Sequence, residues 1–295
     1  MHEPVLLSEV ISTIRPLPGE RYLDATAGYG GHAKAMLDCT KNYAGSVLVD
    51  RDKTAYDYLV NKFDSTGIRF LHKDFYSAAE VLIKEGASFD LILADLGVSS
   101  QHLSQASRGF SFRTKGPLDM RMDKRQPLTA STIVNEWGAE PLERILRAYG
   151  EEPQARKIAN AIVLGRPIAN TTQLADLVAK TTGRWQGKHP ATRTFQAIRI
   201  AVNDELGLVE SVLPLWMALL RPGGRLGIIS FHSLEDRIIK RFFSEKGGNR
   251  YDADLQIVTK QPIVATPQEI AFNPRSRSAK LRVAAKINIK RKDQR

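Results

Sequence analysis

Tyr22-Leu23-Asp24-Ala25-Thr26-Ala27-Gly28-Tyr29-Gly30-Gly31-His32 is a short apolar run closed by an acid, then a glycine-rich turn, then the start of a helical pattern. Strand, glycine turn and helix in that order open a βαβ unit. Glycines in such a turn let backbone amides come close to a ligand that side chains would fend off. Asp50 closes the next apolar run, 20 residues after Gly30. An acid at a strand end with that spacing is placed to accept hydrogen bonds from ribose hydroxyls, which points to an adenosine-containing ligand. The glycines do not follow G-x-G-x-x-G, which argues against a dinucleotide, and no G-x-x-x-x-G-K-[ST] phosphate loop occurs. Taken alone, the glycines could equally be a tight turn braced by an aspartate. Asp24, Asp50 and Asp95 at three strand ends favour a site, because the carboxyl ends of parallel strands form the ligand crevice in open α/β sheets.

Outward from this stretch, Arg21–Ala25, Ser46–Asp50, Ile68–His72 and Phe89–Asp95 read as strands, with helical patterns near His32–Leu37 and Thr54–Phe63. Runs such as Leu91-Ile92-Leu93-Ala94 suit strands buried on both faces of a parallel sheet. The rhythm stops after Asp95. A Gly/Ser/Arg-rich stretch from 105 to 126 lacks periodicity, and amphipathic helices follow near Ala130–Trp137, Pro141–Tyr149, Gln154–Val163, Gln173–Thr181 and Thr192–Leu206. Alternation resumes with a helix near Val209–Leu220, the turn Arg221-Pro222-Gly223-Gly224, a strand over Arg225–Ser230, and late strands at Leu255–Lys260 and Lys280–Asn288. The expected architecture is an α/β, doubly wound core from 1–103 and 206–295, interrupted by a helical insertion at 104–205.

The chain has 295 residues, 42% hydrophobic and 25% charged, which excludes disorder along its whole length. A single cysteine, Cys39, excludes an internal disulfide, a cysteine-rich zinc site or an iron–sulfur cluster, and favours a reducing compartment. Neither a signal peptide nor a membrane span is visible, so the expectation is a cytoplasmic protein without a membrane partner. Net charge is +11, unevenly spread. Residues 1–103 balance at −4 and residues 104–205 at +6, while the last 23 residues, 273–295, carry nine basic groups against one acidic. A basic, arginine-rich block beside a near-neutral core suits a phosphate-backbone partner.

Several long blocks resemble one family: the bacterial S-adenosylmethionine-dependent 16S rRNA (cytosine-N4)-methyltransferases, called RsmH or MraW. They run from Val5-Leu6-Leu7 through Asp24-x-Thr26-x-Gly28-x-Gly30-Gly31-His32, Asp50-Arg51-Asp52, Asp95-Leu96-Gly97-Val98-Ser99-Ser100 and Arg108-Gly109-Phe110-Ser111-Phe112. They continue in Gly116-Pro117-Leu118-Asp119-Met120-Arg121-Met122, His189–Ala197, Ser230-Phe231-His232-Ser233-Leu234-Glu235-Asp236-Arg237 and Asn273-Pro274-Arg275-Ser276-Arg277-Ser278. The resemblance implies a class I methyltransferase fold with S-adenosylmethionine as cofactor. It further implies methylation of the N4 amine of one cytidine in the decoding region of 16S rRNA, within the small ribosomal subunit, and it leaves room for a homodimer.

By the same resemblance, Gly30, Gly31 and His32 would line the methionine side of the cofactor, Asp50 would hold the ribose, Phe75 would flank the adenine and Asp95 would close the site. The family commonly has Ser-Ser-Pro-Gln where this chain reads Ser99-Ser100-Gln101-His102, so His102 stands at a cofactor-contacting glutamine's position. Asp95 is the candidate for orienting the substrate amine and accepting its proton, with His232 a weaker candidate for positioning substrate. Arg108, Phe110, Phe112 and Arg113 interleave cations with rings that could hold phosphates and stack a base, or could form a hydrophobic hinge. Arg193, Arg237, Arg241, Arg275 and Arg277 are candidate RNA-backbone contacts. No metal is expected, because a sulfonium is already a good leaving group. The alternatives are a methyltransferase acting on another RNA or on DNA, or a non-catalytic RNA-binding assembly factor with a vestigial pocket.

Overall fold

The structure, a computed structural model, describes residues 4–64, 66–183, 187, 189–248 and 253–287. Asn288 and the rest of the basic tail lie outside the described residues. The chain divides into two units, 1–97 with 206–295, and 98–205. The second begins ahead of the insertion point at 104 expected from the sequence.

The first unit opens with helix α1 (Leu7–Ile14) and then alternates β1 (Tyr22–Asp24), α2 (Gly31–Thr40), β2 (Val47–Val49), α3 (Lys53–Lys62), β3 (Arg69–Leu71), α4 (Phe75–Lys84) and β4 (Phe89–Asp95). Asp52 and Asp74 start α3 and α4 by accepting the backbone N–H groups of Thr54 and Ser77. Gly30 starts α2 in the left-handed region (φ 70°) with no capping side chain. The second unit holds α5 (Ser100–Ser104), a 3-10 turn at Ala106–Arg108, α6 (Ala130–Glu136), α7 (Ala139–Gly150), α8 (Ala155–Leu164), α9 (Thr171–Thr182) and α10 (Ala191–Asn203). α11 (Glu205–Leu219) leads back into the first unit, followed by β5 (Leu220–Ser230), α12 (Ser233–Lys246), β6 (Leu255–Ile257), β7 (Ile263–Val264), α13 (Pro267–Phe272), a 3-10 turn at Pro274–Ser278 and β8 (Lys280–Lys286).

The sheet runs β3-β2-β1-β4-β5-β8-β6, with β7 also paired to β8. The first five strands in that order are parallel, and β8 is antiparallel to β5. Strand order therefore reverses between β1 and β4, which opens a crevice at their carboxyl ends. Alternate residues of β4 feed opposite faces. Ile92 and Ala94 pack with Trp216 of α11 and with α4, whereas Leu91 and Leu93 pack with α1 and α2. The turn Arg221–Gly224 sits as an excursion inside β5, because Leu220 pairs with Phe89 and Arg225 with Leu91.

In the second unit α6 to α10 surround one apolar cluster of their own. Asn203, at the end of α10, is buried. Its Nδ2 donates to the Met120 carbonyl (2.8 Å) and its Oδ1 accepts from the Met122 N–H (2.8 Å), which ties the aperiodic stretch to a helix. The break between α10 and α11 falls at Asp204, which is left-handed (φ 47°), earlier than the expected end at Leu206.

Candidate active site

The site is built where β1, β2, β4 and β5 end. Gly28, in the left-handed region (φ 54°), donates its N–H to Asp50 Oδ2 (2.8 Å), and Asp50 Oδ1 accepts from the Asp52 N–H (2.8 Å). Asp50 thus braces the glycine turn while its carboxylate stays at the end of β2. Gly30 and Gly31 leave the first turn of α2 without a side-chain cap, so its N–H groups, at the positive end of the helix dipole, suit an anion.

Two acids flank the switch point. Asp24, buried at the end of β1, accepts from the Tyr22 hydroxyl (2.7 Å) and the Thr26 N–H (3.2 Å). Burial still outweighs those hydrogen bonds and raises its pKa to about 7. Asp95, at the end of β4, is raised to about 8, by burial first and then by the like charges of Asp24 and Glu235. Its side chain keeps 28% exposure, so water reaching it offsets part of that rise.

His32, in the first turn of α2, is buried with its Nε2 3.7 Å from Asp95 Oδ2, beyond hydrogen-bond length. Burial lowers its pKa to about 4, so the ring is neutral at neutral pH. Among the described residues, neither ring nitrogen of His32 finds a hydrogen-bond partner, and neither does Asp95 Oδ1 or the Ser230 hydroxyl that ends β5. Buried polar atoms left unpartnered together are costly, and a polar ligand would satisfy them.

Other residues stand as follows. Phe75 is the first residue of α4 and is buried, its ring 5.5 Å from that of Trp216. His232 caps α12, its Nδ1 accepting from the Glu235 N–H (3.4 Å), and its Nε2 lies 3.2 Å from Glu235 Oε1. That contact is near enough to be electrostatic but is out of line for a hydrogen bond. In the second unit, His102 forms a reciprocal cap with Ser99 and stacks on Phe110 at 4.9 Å. Arg108 and Phe110 correct the sequence expectation. Both are buried, and the Arg108 guanidinium donates to the Arg121 and Met122 carbonyls, so neither is presented to a partner. Phe112 is half-buried between His189 (4.7 Å) and Phe195 (5.0 Å), while Arg113 and Arg193 are exposed. Arg237 is exposed on α12, and Arg241 is exposed but paired with Glu210.

Sequence reasoning missed Glu235, which is 1% exposed and accepts the Phe231 N–H at 2.9 Å. It also missed the N-terminal segment. Leu6 donates its N–H to Glu269 Oε1 (2.8 Å), and a Cβ on Gly31 would meet Pro4 Cγ at 2.5 Å, so this segment lies on the glycine turn. No local signal announces a contact between residues 263 apart.

A reversal between β1 and β4, with an uncapped α2 and acids ending β1, β2 and β4 around it, makes this a doubly wound α/β protein with a nucleotide-type ligand crevice at its switch point. The chain belongs to the MraW methylase family, whose pattern matches residues 1–287. It is 43% identical to ribosomal RNA small subunit methyltransferase H of Heliobacterium mobile, over 97% of this chain and 99% of that one. The proteins of the same name from Trichormus variabilis and a Cyanothece species are 46% and 47% identical, covering 97% and 98% of this chain and 92% and 95% of theirs. The protein is a methyltransferase and its cofactor is S-adenosylmethionine. The residues fit that group. The uncapped start of α2 suits its carboxylate, Asp50 suits ribose hydroxyls, and the unpartnered Asp95 and His32 atoms suit its amine and sulfonium end.

Proposed function

We propose that the protein methylates the exocyclic N4 of a cytidine in 16S rRNA within the small ribosomal subunit, in the cytoplasm, with the 98–205 unit helping to recognise the RNA. The reading rests on one observation above the others: likeness along nearly the whole chain to proteins named ribosomal RNA small subunit methyltransferase H. When bound, S-adenosylmethionine would supply a methyl group on a positively charged sulfur, which departs readily as a neutral thioether once the methyl is transferred.

The chain's own work is placement and proton handling. The cytosine amine is a poor nucleophile, because its lone pair is delocalised into the ring. It needs in-line positioning and an acceptor for its protons as positive charge develops. Asp95, at the switch point, is the acceptor in this reading. It holds a proton near neutrality in the free protein, and a positive charge beside it would draw its pKa down into the range where it can accept. The base must leave its stack to reach such a crevice, so a single-stranded or loop cytidine is the expected target. Arg113, Arg193, Arg237, Arg275 and Arg277 are the exposed cations proposed to hold the backbone.

The test is transfer of labelled methyl groups from S-adenosylmethionine to small subunits purified from cells lacking this gene, followed by mass spectrometry of the digested RNA. Label in N4-methylcytidine is the expected result. Label in another nucleoside would overturn the target atom, and no label alongside measurable cofactor binding would overturn the substrate.

A further inference from the structure

The largest unexplained aromatic surface in the described part of the first unit is at the end of α13. Phe272 is 87% exposed, and on either side of the buried Ser276 the next turn presents Arg275 and Arg277 to solvent. Val264 of β7, 56% exposed, belongs to the same stretch of chain between β6 and β8. A ring this exposed contributes little to the fold.

We infer that Phe272, Arg275 and Arg277 form a grip for single-stranded RNA beside the cofactor loop, the ring stacking a base and the arginines holding its flanking phosphates. This rests on the RNA reading above. Three observations support it. The turn is pre-organised, since Asn273 donates its N–H to the Glu269 carbonyl (2.6 Å) while the Ser276 N–H (2.9 Å) and hydroxyl (2.8 Å) both donate to the Asn273 carbonyl. Little chain entropy then has to be given up when the arginines engage a ligand. The charge is suited, because the turn from Asn273 to Ser278 carries two exposed arginines and no acidic residue. The place is suited too. α13 holds the Leu6 N–H through Glu269, and the segment carrying Leu6 lies on Gly31 through Pro4, so the grip is joined to the glycine turn by two contacts. An exposed aromatic ring followed three and five residues later by exposed arginines offers base stacking and phosphate pairing from one short segment, a combination that accepts any base.

The probe is a short, fluorescein-labelled, cytidine-rich single-stranded RNA, with binding followed by anisotropy on the full chain. Phe272→Ala should weaken binding roughly five- to hundred-fold, while Phe272→Trp should keep it. Arg275→Gln with Arg277→Gln should flatten the dependence of log Kd on log salt by about 0.7 for each phosphate that is no longer neutralised. Affinity for S-adenosylmethionine, measured by calorimetry, should stay at the parent value in all variants and reports that each is folded. Unchanged RNA affinity in Phe272→Ala, with the salt slope also unchanged in the arginine variant, would overturn the grip. Methyl transfer to small subunits separates the two ideas. If the parent protein modifies rRNA while the variants bind and turn over like it, the grip is wrong and the substrate reading stands. If the parent modifies no rRNA yet Phe272→Ala loses the probe, the grip stands and the substrate reading falls.

Discussion

Asp95→Asn should make the protein more stable at alkaline pH, and the structure sets both the sign and the size. Asp95 is raised from 3.8 to about 8 in the fold, so between those values the folded state binds a proton that the unfolded chain releases. Stability from that proton is fully present below the unfolded value near 4 and is lost as pH rises through about 8. A shift of about four units at about 1.4 kcal/mol each sets a ceiling near 6 kcal/mol. The side chain keeps 28% exposure, and Asp24 and Glu235 share the strain, so roughly 1–3 kcal/mol is the expected loss for the parent between about pH 5 and 8.5. Asparagine does not titrate and should escape it. Urea midpoints are the observable of choice, because two structural units do not guarantee a single transition. Measured across that pH range, the parent's midpoint should fall toward the alkaline end while that of Asp95→Asn stays flatter. Parallel curves, or a parent that gains stability with pH relative to the variant, would refute the electrostatic account of this carboxyl.

Asp50→Ala removes the acceptor of the Gly28 and Asp52 N–H groups as well as the proposed ribose contact, and should weaken S-adenosylmethionine binding by about tenfold or more in calorimetry. Arg108→Ala should cost about 1–3 kcal/mol in denaturation by orphaning the Arg121 and Met122 carbonyls, yet leave the salt slope of RNA binding unmoved, since that guanidinium is buried. Gly31→Ala places a methyl 2.5 Å from Pro4 Cγ and should displace the N-terminal segment. Hydrogen exchange at the Leu6 amide, held by Glu269, should quicken about tenfold, and protection equal to the parent's would show that the segment does not depend on the glycine. Transfer rates at limiting S-adenosylmethionine, which report the cofactor-free enzyme, should rise with pH toward about 8 if Asp95 must be ionised, and the rise should vanish in Asp95→Asn.

Local order is legible wherever one element's own residues determine it. The run Phe89–Asp95 is a strand with the expected bounds, because a short continuous apolar run closed by an acid suits a strand buried on both faces of a parallel sheet. α4 is absent from the sequence reading although its signals are just as local: Asp74 caps it, and Phe75, Ala78, Ala79 and Leu82 make its buried stripe. α12 is harder to see, since its cap is a histidine, outside the usual capping set.

By itself the sequence determined the alternation of strand and helix, the glycine turn and the acids that end three strands, since each depends on neighbours a few residues apart. The tertiary structure alone decided which charges are buried, paired or open to a partner. Arg108 and Phe110 read as a nucleic-acid contact until the fold buries them, whereas Phe272 drew no notice until its ring proved exposed beside Arg275 and Arg277. The elevated carboxyl of Asp95 likewise depends on Asp24 and Glu235, residues far apart in the chain that meet only across β1, β4 and the start of α12. Burial and like-charge proximity are properties of three-dimensional packing, and a pattern along one dimension carries no record of them.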